Sequence, residues 1–226
     1  MIDTSVVVPT LDEAETIERT LRRLRRLLPG AELVVADGGS RDRTRELARR
    51  LARVVESVPG RGPQLNAGAA EARGELLLFL HADSALRRDP RPDLAAALAR
   101  AGVVAVHFRQ RIRARGCAFR MLEAAAWRRA RWTPWVLGDL GLAVRRGTFA
   151  AIGGFPEQPL FEDLGISLRL RRHGRIAGIG VRVHCSARRW LRQGLVRTTL
   201  VNWMLTVGYL LGMDPVRLAR AYRAIR

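Results

Sequence analysis

Apolar and polar positions alternate in blocks along the first half of the chain. "SVVVP" at 5–9 centres on three valines and predicts a strand. Residues 11–28 carry apolar side chains at helical spacing and stop at Pro29 and Gly30, which predicts a helix. The pair of signals then recurs. "ELVVAD" predicts a strand and 41–53 a helix; "VVESV" predicts a short strand and 63–73 a helix ending at Gly74. "LLLFLHAD" predicts a strand and 92–100 a helix, and "VVAVHF" a further strand. Apolar runs separated by helices predict a parallel sheet covered on both faces, an α/β class.

The second half is less regular. Residues 117–131 predict an amphipathic helix carrying Trp127, with Trp132 and Trp135 beyond it. "GLAVRRGTFAAIGGF" predicts a strand and a short helix, 161–172 a helix, and "RIAGIGVRVHCS" a strand. From Ala187 onward the pattern is helical, broken near Asp214-Pro215. No repeat or low-complexity linker divides the chain, so the two halves are expected to share one sheet.

In an open parallel sheet, ligands bind beyond the carboxyl ends of the strands. Three strands here run into polar groups: "PTLDEAE" after the first, "DGGSRD" after the second and His81-Ala82-Asp83 after the fourth. Each has a local alternative. Thr10 and Glu13 stand at capping-box spacing, Ser40 suits an N-cap, and Gly38-Gly39 suits a tight turn. Asp37 and Asp83 end buried runs and are read as site residues. "GRGPQLNAG" at 60–68 opens a helix with Arg61, Gln64 and Asn66, a setting that favours phosphate. Glu162-Asp163 alone would pass for a helix-start pair complementing the dipole.

Composition changes the picture in one respect. The 226 residues, 48% of them hydrophobic, suit one folded domain, and disorder is not expected. The 40 basic residues, all arginine, against 21 acidic give a net charge of +19. That surplus suits phosphates, nucleic acid or an anionic membrane, but screening limits each surface charge to about 8 Å, so charge alone selects no partner. Cys117 and Cys185 stand far apart, which disfavours a disulfide framework or a zinc site and fits a reducing cytoplasm. A strand begins almost at once, so no signal peptide is expected. The least charged stretch, 198–213, falls short of the about 20 apolar residues of a spanning helix.

"VVVPTLDEAETI", "VVADGGSRDRT", "GRGPQLNAG", "LLFLHADS", "GDLGLAVRRGTFAAIGGF" and "LFEDLGISLRLRRHG" occur in that order. The series resembles a family 2 glycosyltransferase of GT-A fold. It most resembles the bacterial subgroup called arsenosugar-biosynthesis-type or radical-SAM/selenodomain-associated glycosyltransferases. The resemblance implies a Rossmann-like, mostly parallel sheet with C-terminal helices. It implies one domain over 1–226: a nucleotide-sugar-binding half (1–110), an acceptor-side half (111–190) and a helical segment (191–226). Pro9, Thr10 and Glu13 would line the nucleotide site, Asp37 would contact the nucleoside and Arg61 would approach the diphosphate. His81-Ala82-Asp83 stands where the family has Asp-x-Asp. Asp83 would bind Mg²⁺ or Mn²⁺, with His81 in place of the first carboxylate.

The resemblance further makes Asp163 the general base beside Glu162, and Asp139 an acceptor-side residue. Arg189 and Trp190, with Arg188, resemble the Arg-Trp element of processive relatives. The full Gln-x-x-Arg-Trp pattern is absent, which argues against a polymerising synthase. The implied reaction is an inverting transfer of a hexosyl group from a UDP- or GDP-linked donor to an acceptor hydroxyl, the acceptor not being legible. Two other functions stay open. A sugar nucleotidyltransferase usually has a Gly-rich basic loop after the first strand, where this chain is acidic. A non-catalytic Arg-rich protein binding nucleic acid or membrane is opposed by the clustered carboxylates, and no specific nucleic-acid partner is expected. The apolar segments 117–135 and 195–213 suggest a peripheral membrane surface, on the inner face for a cytoplasmic protein, or a homodimer interface; the alternative is that they pack on the sheet.

Overall fold

A computed structural model describes residues 2–133 and 135–225. Eight strands form one sheet: β1 (Thr4–Thr10), β2 (Glu32–Asp37), β3 (Arg53–Glu56), β4 (Leu76–Phe79), β5 (Ala85–Leu86), β6 (Val103–Ile112), β7 (Leu142–Arg145) and β8 (Arg175–Cys185). Their order is β3-β2-β1-β4-β7-β6-β8-β5, so strands from both halves of the chain lie in the same sheet. The helices are α1 (Ile17–Leu27), α2 (Thr44–Arg49), α3 (Arg61–Glu71), α4 (Arg91–Leu98), α5 (Cys117–Trp132), α6 (Arg146–Ala151), α7 (Glu162–His173), α8 (Arg188–Gln193), α9 (Leu195–Leu210) and α10 (Pro215–Ile225).

The strands read as continuous apolar runs because both faces are covered. Val6 and Val8 of β1 join Leu33, Val35, Leu76 and Leu78 in a core closed by Ile17, Leu21 and Leu24 of α1 and Leu94 of α4. Val7 points the other way, with Val34, Leu77 and Phe79, against Leu65 and Ala69 of α3 and Ile166 and Leu170 of α7. Successive side chains of a strand face opposite sides, so one valine run supplies both cores. Cys117 and Cys185 are both free thiols, as their separation suggested.

Three features depart from the sequence reading. The sheet is mixed: β7 runs antiparallel to both β4 and β6, and β5 antiparallel to β8. Leu142 of β7 pairs with Phe79, the last residue of β4, so β7 starts at the carboxyl edge of the parallel strands and leads away from it. Gly141 makes that entry at φ 62°, with Leu80 and Phe108 3.1 Å from where a Cβ would stand. Secondly, the first helix begins at Ile17, not at residue 11. The 11–16 segment is a loop held from the neighbouring loop: the Asp12 and Glu13 amides donate to Ser40 Oγ (2.9 Å) and Thr44 Oγ1 (2.7 Å), and the Arg41 amide donates to Asp12 Oδ1 (2.8 Å). Thirdly, neither proposed cap forms. Thr10 Oγ1 donates to Asp37 rather than capping, and Glu13 accepts from Thr16 Oγ1 (2.8 Å). Ser40 is bound to Asp37, while the α2 entry is satisfied by Asp42 Oδ1, which accepts from the Thr44 amide at 2.9 Å.

Helix α3 lies close on the sheet because Gly68 faces it. A Cβ there would stand 2.4 Å from Val7 Cγ1 and 3.3 Å from Ala36 Cβ. Gly68→Ala is therefore expected to destabilise the protein by about 1–3 kcal/mol, the range for overpacking a filled core. Gly147→Ala, where nothing lies within 4 Å, should be neutral or mildly stabilising. Urea unfolding midpoints check both, and equal midpoints would contradict the close approach.

Candidate active site

Strands β2, β1 and β4 are parallel neighbours, so their carboxyl ends open at one edge. The chain must leave the sheet there, and its polar groups need new partners. Asp37, 1% exposed, supplies several. Its Oδ1 accepts from the amides of Gly39 (3.1 Å) and Ser40 (2.8 Å), and its Oδ2 from the hydroxyls of Thr10 (3.0 Å) and Ser40 (2.5 Å). Arg45 Nε lies 3.8 Å away. Asp37 thus organises the Gly38-Gly39 loop from within, and Thr10 is enclosed with it. Glu13 sits in the 11–16 loop beside Thr16.

Helix α3 fastens this edge to the far loops. The buried Gln64 amide donates to Thr10 O (2.6 Å) and Ala36 O (3.0 Å), tying β1 to β2 beyond their pairing. Asn66 clamps Phe155, donating to its carbonyl and accepting from its amide, both at 2.9 Å. Of the three polar residues in "GRGPQLNAG", Gln64 and Asn66 therefore hold the scaffold. Arg61, at the helix start, keeps a side chain 60% exposed, with Nη1 3.8 Å from Glu162 Oε1.

Strand β4 stops at Phe79, earlier than the sequence run suggested, and His81-Ala82-Asp83 forms a turn closed by the Ser84 amide on His81 O (3.0 Å). Thr20 Oγ1 of α1 holds the turn through Ala82 O at 2.6 Å. The two ends of the turn line different pockets. His81 lines a cleft of about 420 Å³ with Pro9, Phe79, Glu162, Asp163 and Ser167. Asp83 lines a second, narrow pocket with Arg19, Thr20, Arg23 and Arg113.

Helix α7 delivers Glu162 and Asp163 into the first cleft. Phe161, just before it, adopts a left-handed conformation at φ 64° and rests against the Tyr209 ring, centroids 5.1 Å apart. Few bulky residues accept that conformation without support. The Leu164 amide donates to Asp163 Oδ1 (2.7 Å), and Ser167 Oγ joins Asp163 O to Val136 O in the loop above. Glu162 is 6% exposed. Burial pushes its carboxyl up to about 7, the Asp163 charge adds to the rise, and Arg61 opposes it. Asp163 lines the same cleft and is only half-buried.

Asp139, the expected acceptor-side residue, is exposed, with Gln110 Nε2 at 3.5 Å from its Oδ2 and Cys185 Sγ donating to its carbonyl. Arg189 lies elsewhere: it donates to Asn202 Oδ1 (2.8 Å) and stacks 4.7 Å over Tyr222. Trp190 packs at the small cluster of Ile112, Phe119 and Ala187. The structure thus gathers Pro9, Arg61, His81, Glu162 and Asp163, encloses Thr10 and Asp37, and sets Asp83, Arg189 and Trp190 apart from the first cleft. Sequence reasoning missed Arg129. Burial pulls its guanidinium down while Asp163 and Asp139 oppose that pull, and its Nε meets no acceptor among the described residues. Arg19, Arg23 and Arg113 around Asp83 were missed as well; in an arginine-only chain the residue type gives no contrast.

Among the described residues no group of three or more His, Cys, Asp or Glu side chains could hold a metal ion. Asp83 offers one half-exposed hard oxygen donor at a strand end. That donor set fits a hexacoordinate divalent cation only when the other positions come from a ligand's phosphates and water.

Known proteins bear on this geometry in three ways. Over 49 residues the chain is 53% identical to the succinoglycan biosynthesis protein ExoA of Rhizobium meliloti, a match covering 21% of this chain and 15% of that protein. The mannosyltransferase PcManGT of Pyrobaculum calidifontis, solved with GDP-Man and Mn²⁺, superposes with a TM-score of 0.65 at 25% identity over 81% of this chain and 58% of its own. Glucosyl-3-phosphoglycerate synthase of Mycobacterium tuberculosis, solved with Mn²⁺, UDP and glucosyl-3-phosphoglycerate, superposes with a TM-score of 0.59 at 25% identity over 80% and 70%. The sheet, its helices and its mixed second half are those of the GT-A fold. The profile described as Glycosyl transferase family 2 matches residues 5–151, and the chain belongs to that family.

Proposed function

We propose that the protein transfers a hexosyl group from a UDP- or GDP-linked donor to an acceptor hydroxyl, with inversion at the anomeric carbon. One observation carries this reading: Asp163 and Glu162 enter, from α7, the cleft that Pro9 and His81 line from the ends of β1 and β4. A base and the donor edge of the sheet thereby share one space. The mannosyltransferase and the synthase that resemble this chain were solved with GDP-Man and with UDP, each with Mn²⁺. The order of the motifs keeps the arsenosugar-type subgroup as the finer assignment.

In this mechanism Asp163 takes the proton of the acceptor hydroxyl as that oxygen attacks the anomeric carbon. One base and one displacement give inversion. Glu162, enclosed and ion-paired with Arg61, sets the charge balance beside it, and Arg61 turns its exposed guanidinium to the donor's diphosphate. Asp139 lies on the acceptor side. Asp83 lies in the arginine-lined pocket beside this cleft, so it would hold Mg²⁺ or Mn²⁺ only where the donor's phosphates extend to it, and the ion would there supply positive charge for the leaving diphosphate. Asp37 and Thr10 act by shaping the loop on which the nucleoside rests.

Asp163→Asn is expected to lower nucleoside diphosphate release from UDP- and GDP-sugars by about 10²–10⁴-fold, the usual share of general base catalysis, while donor binding persists. Retention of the full rate would remove Asp163 from the mechanism. Calorimetry with UDP and GDP should show Mn²⁺-dependent binding of one nucleotide, lost in Asp83→Ala; absence of any binding to the folded protein at millimolar nucleotide would refute the donor reading. Glu162 also predicts a pH dependence of stability. Its folded value, about 7, lies above the ordinary 4.5, so its contribution is full below pH 4.5 and is lost as pH rises through about 7. The stability difference between wild type and Glu162→Gln should shift against the wild type across that window in urea titrations. A constant difference would contradict the buried carboxyl.

A further inference from the structure

The C-terminal helices present a surface that the transfer reaction does not use. In α9, Val196, Leu200, Trp203 and Met204 are 58–73% exposed, and Val207 and Leu210 continue the row, with Leu211 just beyond. At 100° per residue these positions fall within an arc of about 120°, one continuous apolar face. The opposite side of α9 packs inward through the buried Thr198, Leu205 and Gly208. From Val196 to Leu210 the face is about 21 Å long, short of the about 30 Å of a bilayer core. No helix among the described residues is long and apolar enough to cross a membrane.

Charge complementarity identifies what covers this face. No Asp or Glu occurs from Ser186 to Met213. Beside the exposed Leu191, a groove of about 660 Å³ is lined by Arg113, Arg188 and Arg192 with Ser186 and Ala187. Arg197 stands on the rim of the apolar face, and Arg217 and Arg220 are exposed on α10. An apolar row edged by arginine and free of carboxylates matches acyl chains below a layer of anionic headgroups. A second copy of the chain would have to bring the same arginines against themselves. We infer that the face formed by α8 and α9 docks on an anionic lipid surface, lying in its interface. The opposite side of the same helix touches the start of α7: Tyr209 of α9 contacts Phe161 and accepts a hydrogen bond from Gln158 at 3.2 Å. Of the two segments with apolar, Trp-bearing character, this assigns the role to 195–213: in α5, Trp127 is half-buried against His107, and the exposed Met121 and Trp132 stand eleven residues apart with no exposed large apolar side chain between them.

The test is co-sedimentation of the full chain with vesicles of phosphatidylcholine, alone or mixed with phosphatidylglycerol. Binding to the mixed vesicles is expected. The Leu200→Ser, Trp203→Ser, Met204→Ser triple variant should bind at least about tenfold more weakly. Arg188→Gln with Arg192→Gln should weaken binding more than Arg171→Gln with Arg172→Gln, at the far end of α7, because the first pair lines the groove beside the exposed Leu191 of α8. Far-ultraviolet circular dichroism establishes that the variants are folded. Brominated lipid should quench the tryptophan fluorescence of the unaltered protein, and less so in Trp203→Phe, which reads the same contact without a disruptive change. Wild-type binding by the triple variant would mean adsorption through net charge alone and would overturn the inference. So would a wild-type protein that ignores vesicles but forms a dimer in sedimentation, dissociated by the triple variant.

Discussion

A strand that ends inside a protein leaves backbone groups with nowhere to bond, and the site is built on the answer to that problem. Three adjacent strands stop at one edge, and a buried carboxylate and a buried amide take over where the ladder ends. Asp37 collects two amides and two hydroxyls, and Gln64 reaches the carbonyls of Thr10 and Ala36. Leaving either set unsatisfied would cost about 1–3 kcal/mol per buried group. Because Gln64 belongs to α3, the same bonds fix the helix whose first residue is Arg61. Asn66, two residues on, fixes the loop that leads to Glu162. Strand ends, Arg61 and the loop leading to Glu162 and Asp163 are therefore positioned by one helix seated on Gly68.

Much of the fold was legible because burial on both faces turns strands into apolar runs. "SVVVP", "ELVVAD" and "VVAVHF" need no tertiary knowledge to be read. The two residues of β5 are too short to leave a pattern, and the direction of β7 depends on the Gly141 turn, which no periodicity encodes. The first helix was placed too early because Ser40 and Thr44, 28 and 31 residues away, hold Asp12 and Glu13 in a loop. Polar residues next to a helix look like caps in a sequence even when their partners are remote.

The site divides along the same line. His81, Glu162 and Asp163 were recognisable through motif order, and they line one cleft. Asp37 was recognisable as exceptional, yet its hydrogen bonds are all internal to the loop. Arg129 and the arginines around Asp83 were invisible because guanidinium groups cover this chain. Some are structural throughout: Arg91, 5% exposed, is spent on Asp89 and Pro29 O. In such a sequence, a functional arginine is distinguished only by what it faces.

Phe161 ties the C-terminal region to the start of α7. Its left-handed backbone costs about 1–3 kcal/mol, and the Tyr209 ring is the wedge that keeps it there. Helix α9, which does not line the cleft, thus braces the backbone from which Glu162 and Asp163 project.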